Sequence, residues 1–157
     1  MKNLDHELLI PHKRPALLVT GIKSHGSESI IVRGQIEKDH PLAVQESAPA
    51  VLAMEFAAQA AGLLLGLLRL NENPQAAPPK IGYLASLRAV RFETPTLPVD
   101  RPLTAEVILE GRLGSMALFS AKVMVDNEIA ATGRFAIAGE QTQLNRQDAK
   151  SAKKFQK

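Results

Sequence analysis

Several residue types are absent or scarce in this 157-residue chain, and each shortage excludes a class of function. There is no cysteine, which rules out disulfides, thiolate catalysis and cysteine-based zinc sites. There is no tryptophan and only one tyrosine, so aliphatic side chains must fill most of the core. The few aromatics are not interleaved with basic residues in the way that favours single-stranded nucleic-acid binding. We therefore expect no nucleic-acid partner.

The chain also has little net charge and no apolar run long enough to span a membrane. The net charge of +3 is carried by residues 140–157, which hold five basic and two acidic residues. We expect this segment to be a disordered tail, with contact to nucleic acid or anionic lipid as the alternative. The apolar run 60–68 is too short to span a bilayer, and the amino-terminal residues lack the apolar core of a signal peptide. We therefore expect one domain over residues 1–139 in a soluble, cytoplasmic protein with no membrane partner.

The most distinctive stretch is residues 47–70, which is rich in alanine, leucine and methionine, the strongest helix formers. Ser47 is a suitable amino-terminal cap, and Pro49 fits the first turn, where its missing N–H is not needed. Asn71 and Pro74 favour termination. The stretch is apolar nearly all round, which predicts a buried helix. Its small residues would let a sheet approach closely.

Two polar side chains interrupt this apolar helix. Glu55 and Gln59 are one turn apart and therefore share a face. A buried carboxylate without an obvious partner is costly, which makes Glu55 a candidate site residue. Gln59 is either a hydrogen-bond partner of Glu55 or a structural polar group.

The rest of the chain has the two-residue period of strands. A predicted hairpin precedes the helix, and four predicted strands follow it. These strands are residues 16–23, 29–37, 81–93, 103–112, 116–125 and 128–138. The pattern predicts an α+β fold in which one curved antiparallel sheet wraps around the helix, the arrangement called the hotdog fold. Its open sheet edge would pair with another copy, so we expect a homodimer or a higher homo-oligomer.

Three segments resemble the β-hydroxyacyl-acyl-carrier-protein dehydratases of fatty acid synthesis. Residues 9–19, LIPHKRPALLV, resemble that family's opening LLPHRxPxLLVD. Residues 49–62, PAVLAMEFAAQAAG, resemble its helix PGVLxxEAxAQAAG. The VRF of residues 90–92, followed by Pro95 and Pro98, resembles its VRFxxPVxPGD segment. The resemblance extends over residues 8–138.

The loop that enters the helix departs from that family. Its GHFPGxPVMPG sequence is replaced by residues 39–50, DHPLAVQESAPA, in which Ala50 replaces the glycine at the helix entry. His40 lies 15 positions before Glu55, one more than the family spacing. The HPL and APA sequences, together with GYL at residues 82–84, are similar to a divergent branch, the dehydratases of aryl-polyene-type gene clusters.

The resemblance implies that 3-hydroxyacyl thioesters on an acyl carrier protein are dehydrated to trans-2-enoyl thioesters. It implies no metal or redox cofactor, and the carrier's phosphopantetheine holds the substrate. His40 would be the base, and Glu55, with a pKa raised by its apolar pocket, would orient or protonate the hydroxyl. The N–H of Ala50 or Val51 would bind the thioester oxygen, and Gln59 would support Glu55. In this family the histidine and the carboxylate of one site come from different subunits.

Two other functions are left open by the residues themselves. In a hotdog thioesterase, Glu55 would activate water or attack the thioester, and His40 would be dispensable. In a non-catalytic acyl-binding or partner subunit, the altered loop of residues 39–50 would no longer support chemistry.

The remaining polar candidates receive structural interpretations. His12 is interpreted as a packing and hydrogen-bonding residue near the first strand, and His6 and His25 as exposed residues. The four histidines are too scattered for a metal site. Arg88 and Arg91 are expected on the outer face of a strand, with contact to an acidic carrier protein as the alternative.

Overall fold

The computed structural model describes residues 9–77 and 82–139. Within these ranges the chain forms one long helix and eight strands. In chain order they are β1 (Val19–His25), β2 (Ser29–Gly34), β3 (Ser47–Pro49), α1 (Leu52–Glu72), β4 (Gly82–Phe92), β5 (Thr96–Pro98), β6 (Leu103–Leu113), β7 (Met116–Val125) and β8 (Glu128–Gly139). The predicted tail of residues 140–157 lies outside the described residues, so the domain boundary at residue 139 stays a prediction.

Six strands form one antiparallel sheet in the order β1-β2-β6-β7-β8-β4. Helix α1 packs against β1, β2, β6, β7 and β8. Buried residues alternate along β6 and β7, so one face of the sheet covers the helix and the other faces outward. The predicted α+β class and hotdog fold are confirmed. Strand β4 pairs with β8 alone among the described strands, which leaves its second edge open.

Each predicted strand is found, but the first begins at Val19 rather than at residue 16. The backbone N–H groups just before Val19 are used elsewhere. Leu17 donates to the carbonyl oxygen of Lys13 at 2.9 Å, and Leu18 donates to Oε1 of Gln59 at 2.8 Å. Leu17 and Leu18 are buried against the helix without joining the sheet. A two-residue period in the sequence cannot distinguish such buried residues from residues of a strand.

The predicted start of the helix is wrong. Residues 47–49 form β3, which pairs with β5, and α1 begins at Leu52. The N–H of Ala50 donates to the carbonyl oxygen of Pro95 at 3.1 Å, and this bond extends the pairing. Ser47 therefore does not cap the helix, and Val51 occupies the cap position without a side-chain hydrogen bond. Long-range strand pairing has overridden a good local capping signal.

The helix is buried as predicted, but its glycines do not face the sheet. A Cβ on Gly62 would lie 3.1 Å from Cγ2 of Ile10, and one on Gly66 would lie 3.3 Å from Cβ of Leu9. The glycines therefore admit the segment that precedes β1. The close approach between helix and sheet occurs instead at Gly34 of β2, which faces the ring of Phe56.

The apolar character of α1 is explained by this packing. The helix is long and apolar enough to cross a membrane by length and composition, yet 67% of the relevant window is buried inside the fold. A helix enclosed in this way is typical of the core of a soluble protein.

Candidate active site

Two polar side chains are buried among the residues that the structure describes. They are His40, with 8% of its surface exposed, and Gln59, with 1% exposed. Buried polar groups are retained where hydrogen bonds satisfy them or where function requires them. Both are predicted site residues. Gln59 bonds Glu55, and His40 helps to lower the pKa of Glu55.

His40 lies in the loop between β2 and β3, and three hydrogen bonds fix it there. Its backbone N–H donates to the carbonyl oxygen of Glu37 at 3.0 Å, and its own carbonyl oxygen accepts from Ala43 at 2.8 Å. Its ring Nδ1 accepts from the backbone N–H of Leu42 at 3.1 Å. A backbone N–H can only donate, so Nδ1 carries no proton in this arrangement and the neutral ring is protonated on Nε2. The ring therefore presents an N–H group rather than a lone pair at Nε2.

Glu55 lies in the first turn of α1, with 41% of its side chain exposed. Its Oε1 accepts two hydrogen bonds. One comes from Nε2 of His12 at 3.1 Å, and the other comes from Nε2 of Gln59 at 3.0 Å. Oε2 has no hydrogen-bond partner within the described part of the chain. One carboxylate oxygen is therefore held and the other is available.

The pKa of Glu55 is lowered from its ordinary value of 4.5. The largest cause is the hydrogen bond from His12, while burial acts in the opposite direction. The hydrogen bond from Gln59 and the electrostatic effects of His12 and His40 lower the pKa further. The prediction of a raised pKa was wrong, because Glu55 has partners that the sequence did not reveal. At neutral pH this residue is a carboxylate.

Gln59 fulfils both of the roles that the sequence left open. Its Nε2 donates to Glu55, as predicted, and also to the carbonyl oxygen of Ala16 at 2.8 Å. Its Oε1 accepts from the N–H of Leu18. All of these groups lie in α1 or in the segment before β1, so Gln59 joins that segment to the helix beside Glu55.

The helix entry offers one of its two predicted oxyanion donors. The N–H of Ala50 is already bonded to Pro95, which removes Ala50 from the candidates. The N–H of Val51 makes no hydrogen bond to another described residue, and Val51 is 52% exposed. Helix amino ends present such unpaired donors to anionic ligands. Val51 is the remaining candidate.

No hydrogen bond or ion pair joins His40 and Glu55 of one chain within residues 9–77, although the electrostatic effect of His40 helps to lower the pKa of Glu55. The direct partners of Glu55 are Gln59 and His12, and the sequence predicts only Gln59 as a site residue. The resemblance of the LIPHKRP segment to the family's opening motif could have pointed to His12. Whether His12 lies near the helix, however, depends on the fold.

The other polar candidates lie elsewhere. His25, Arg88 and Arg91 are exposed, the arginines on edge strand β4. His6 lies outside the described residues. Among the residues that are described, no group of three or more potential metal ligands occurs.

Comparison with known proteins agrees with this geometry. Residues 4–147 match the family model described as ApeP-like, ApeP dehydratase. A 3-hydroxyacyl-[acyl-carrier-protein] dehydratase FabZ of Chlamydia muridarum is 31% identical over 140 residues, which cover 84% of this chain and 88% of the relative. A FabZ of Anaeromyxobacter sp. is 30% identical over 133 residues, covering 81% of this chain and 83% of the relative.

Solved structures share the fold. The dehydratase heterocomplex ApeI:P from Xenorhabdus doucetiae aligns with a TM-score of 0.79 at 21% identity, covering 93% of this chain and 97% of that one. A hypothetical thioesterase from Streptococcus pneumoniae aligns with a TM-score of 0.56 at 11% identity, covering 78% and 88%. The likeness to the thioesterase therefore concerns the fold alone. A hotdog fold with a histidine-bearing loop before its helix and a carboxylate in the first helical turn, matched along nearly its whole length, places this chain in the ApeP-like dehydratase family.

Proposed function

We propose that this chain dehydrates 3-hydroxyacyl thioesters, carried on an acyl carrier protein, to trans-2-enoyl thioesters. The observation that carries the proposal is an ionised Glu55 in the first turn of α1 together with a buried His40 that is fixed in the loop between β2 and β3. The FabZ relatives are named for this substrate class. The phosphopantetheine arm of the carrier would supply the thioester, and the reaction itself needs no redox change.

The resting protonation states support a different division of labour from the one that the resemblance implied. Glu55 is already ionised, so it cannot begin the reaction as a proton donor. With Leu42 bonded to Nδ1, the neutral ring of His40 presents a donor rather than a lone pair at Nε2. Glu55 is therefore the proton acceptor of the proposed site, and His40 is a hydrogen-bond donor to the substrate.

The proposed reaction has two steps and returns the site to its starting state. Oε2 of Glu55 removes the proton from C2, and the C–H electrons form an enolate whose oxygen is stabilised by the N–H of Val51. The C2=C3 double bond then forms as the C3–O bond breaks. Glu55 returns its proton to the departing hydroxyl, which leaves as water. The Nε2–H of His40 donates to the substrate oxygen throughout.

A second hotdog chain would complete this site. The open edge of β4 carries exposed apolar side chains, including Tyr83, Leu84 and Leu87, and an open edge of this length favours strand pairing. Because no hydrogen bond or ion pair joins His40 and Glu55 of one chain, we propose that each site takes its histidine from one subunit and its carboxylate from the other. The partner could be an identical chain. The similar ApeI:P structure is a heterocomplex, so a non-identical dehydratase chain is the second candidate. We infer a cytoplasmic location for this assembly.

The activity is tested by incubating the protein with 3-hydroxyacyl carrier proteins of several chain lengths and measuring enoyl formation. We expect Glu55→Gln to lower kcat by about 10²–10⁴-fold, since it removes the proton acceptor. We expect His40→Ala to lower it by about 10²–10³-fold, the effect of losing one preorganised donor. His25→Ala changes an exposed histidine and serves as the control. Wild-type protein that is as inactive as Glu55→Gln on all substrates, with or without a co-expressed partner chain, would overturn the proposal.

His40→Gln distinguishes a donor from a base at position 40. Glutamine keeps an N–H donor but cannot accept the proton from C2. If His40 is a donor, His40→Gln retains clearly more activity than His40→Ala. Equal loss in the two variants would return the role of base to His40. Release of free thiol from the substrate would instead reveal a thioesterase.

Mixing two inactive variants tests the shared site. In a dimer of His40→Ala with Glu55→Gln, one of the two intersubunit sites keeps both residues. We therefore expect the mixture to recover activity after subunit exchange, up to one intact site in each mixed dimer. No recovery, with mixed dimers demonstrated by mass spectrometry, would place both residues of a site in one chain.

A further inference from the structure

His12 lies in the segment before β1, far from α1 in sequence, yet its ring reaches the first turn of the helix. Its Nε2 lies 3.1 Å from Oε1 of Glu55. An ionised carboxylate can only accept a hydrogen bond, so Nε2 of His12 carries a proton and donates to Oε1. Its Nδ1 is buried and has no hydrogen-bond partner among the residues described. The described polar contact of this ring is therefore the one to Glu55.

The arrangement differs from that of a histidine that only satisfies the core. Buried polar side-chain atoms normally have at least one hydrogen-bond partner. Here one ring nitrogen is left unpaired while the other points at the carboxylate, and the ring is 34% exposed.

Gln59 fixes the geometry of the contact between His12 and Glu55. It bonds Ala16 and Leu18 on one side and Glu55 on the other, and it is almost fully buried. The segment that carries His12 is thereby tied to the helix that carries Glu55. Both donors meet the same oxygen, Oε1. This sets the rotation of the carboxylate and turns Oε2 away from the two donors.

We propose that His12 is a positioning residue for Glu55, which it holds through Oε1 so that Oε2 is presented to the substrate. The inference rests on the proposed function, since it names the residue that orients the proton acceptor of that reaction. His12 itself touches neither substrate nor reacting atoms. Its loss should act on the chemical step, because a misplacement of about 1 Å can cost about 10²-fold in rate.

The experiment compares His12→Leu, which removes the donor, with His12→Gln, which keeps an N–H donor at the end of the side chain. His25→Ala is the control for loss of a histidine elsewhere. We expect His12→Leu to lower kcat by about 10–10²-fold with KM changed less than about threefold. His12→Gln should recover most of the lost kcat. A structural role alone would lower stability and leave kcat per folded molecule unchanged.

A second readout needs no substrate. Protein labelled with ¹³C at the glutamate carboxyl groups is titrated by NMR, and the Glu55 signal is assigned by its disappearance in Glu55→Gln. We expect the pKa of Glu55 to rise in His12→Leu, because the largest cause that lowers it has been removed, and to stay lowered in His12→Gln.

The outcomes separate this inference from the proposed function. An unchanged Glu55 titration in folded His12→Leu overturns the inference, whatever the activity. A raised pKa with unchanged kcat also overturns it, since the orientation would then not matter for the reaction. Wild-type protein without dehydratase activity overturns the proposed function, while the titration still decides whether His12 controls the carboxylate.

Discussion

Alanine at position 34 tests how tightly β2 is seated on the helix that carries the site. An added Cβ would lie 2.3 Å from Cε2 of Phe56 and 2.5 Å from the carbonyl oxygen of Leu18. Nonbonded carbon atoms are best separated by about 3.5–4.0 Å, so the ring and the backbone must together move by about 1 Å. Neither moves cheaply, because Phe56 is fully buried and the Leu18 carbonyl already accepts from Gln35 at 2.9 Å.

We expect Gly34→Ala to lower the free energy of unfolding by about 3 kcal/mol, the upper part of the range for overpacking a core. For a chain of this size that corresponds to a fall in Tm of roughly 6–12 °C. Urea denaturation followed by circular dichroism measures the change. Gly111→Ala is the matched control, since a Cβ there would meet nothing within 4 Å, and its effect should stay within about 1 kcal/mol.

Two results bear on the reasoning directly. A Gly34→Ala protein as stable as wild type would show that the helix and β2 are not in the close contact described. If the contact is real, Phe56→Leu should cost less in the Gly34→Ala background than in wild type, because the smaller side chain relieves part of the clash. The carbonyl of Leu18 would still be crowded, so the rescue should be incomplete.

Three further predictions concern the carboxylate, its support and the open edge. Because the pKa of Glu55 is lowered in the folded state, its ionised form contributes stability that is present above about pH 4.5 and lost as pH falls through the lowered pKa. The urea midpoint of wild type should therefore fall relative to that of Glu55→Gln below pH 4.5, and the difference between the two should be constant at neutral pH. A difference that does not depend on pH would contradict the described contacts. Gln59→Leu leaves the buried N–H of Leu18 and the carbonyl oxygen of Ala16 without their partner and should cost about 1–3 kcal/mol in unfolding free energy, and a cost below 1 kcal/mol would contradict the burial of the Leu18 N–H. Leu87→Glu, at a position 44% exposed on β4, should shift the protein toward monomer in analytical ultracentrifugation, whereas Ile108→Glu on the sheet face should not.

The order of elements and most of the site residues could be predicted from the sequence. Residue periodicity located the long helix and six strands, because burial on one face leaves a pattern that is local in the chain. The alternation of Ala117, Phe119, Ala121 and Val123 on β7 is one such pattern, and all four are buried. Glu55 and Gln59 stood out because polar groups in an apolar helix are costly unless they are used.

The tertiary structure decided the contacts that no local pattern encodes. Strand β3 replaced the first predicted turn of the helix because Ser47–Pro49 pairs with Thr96–Pro98, about 50 residues away. The same pairing engages the N–H of Ala50 and leaves Val51 as the candidate donor.

The charge state of Glu55 was decided in the same way. From the sequence alone, an apolar surrounding favours a protonated carboxyl. In the fold, His12 arrives from 43 positions earlier in the chain and donates to it, so the carboxylate is stabilised instead. The sequence by itself determined which residues are unusual and on which element each lies. Only the fold decided which of them meet, because a hydrogen bond depends on distance in space, and distance in space between separated segments is set by the packing of the whole core.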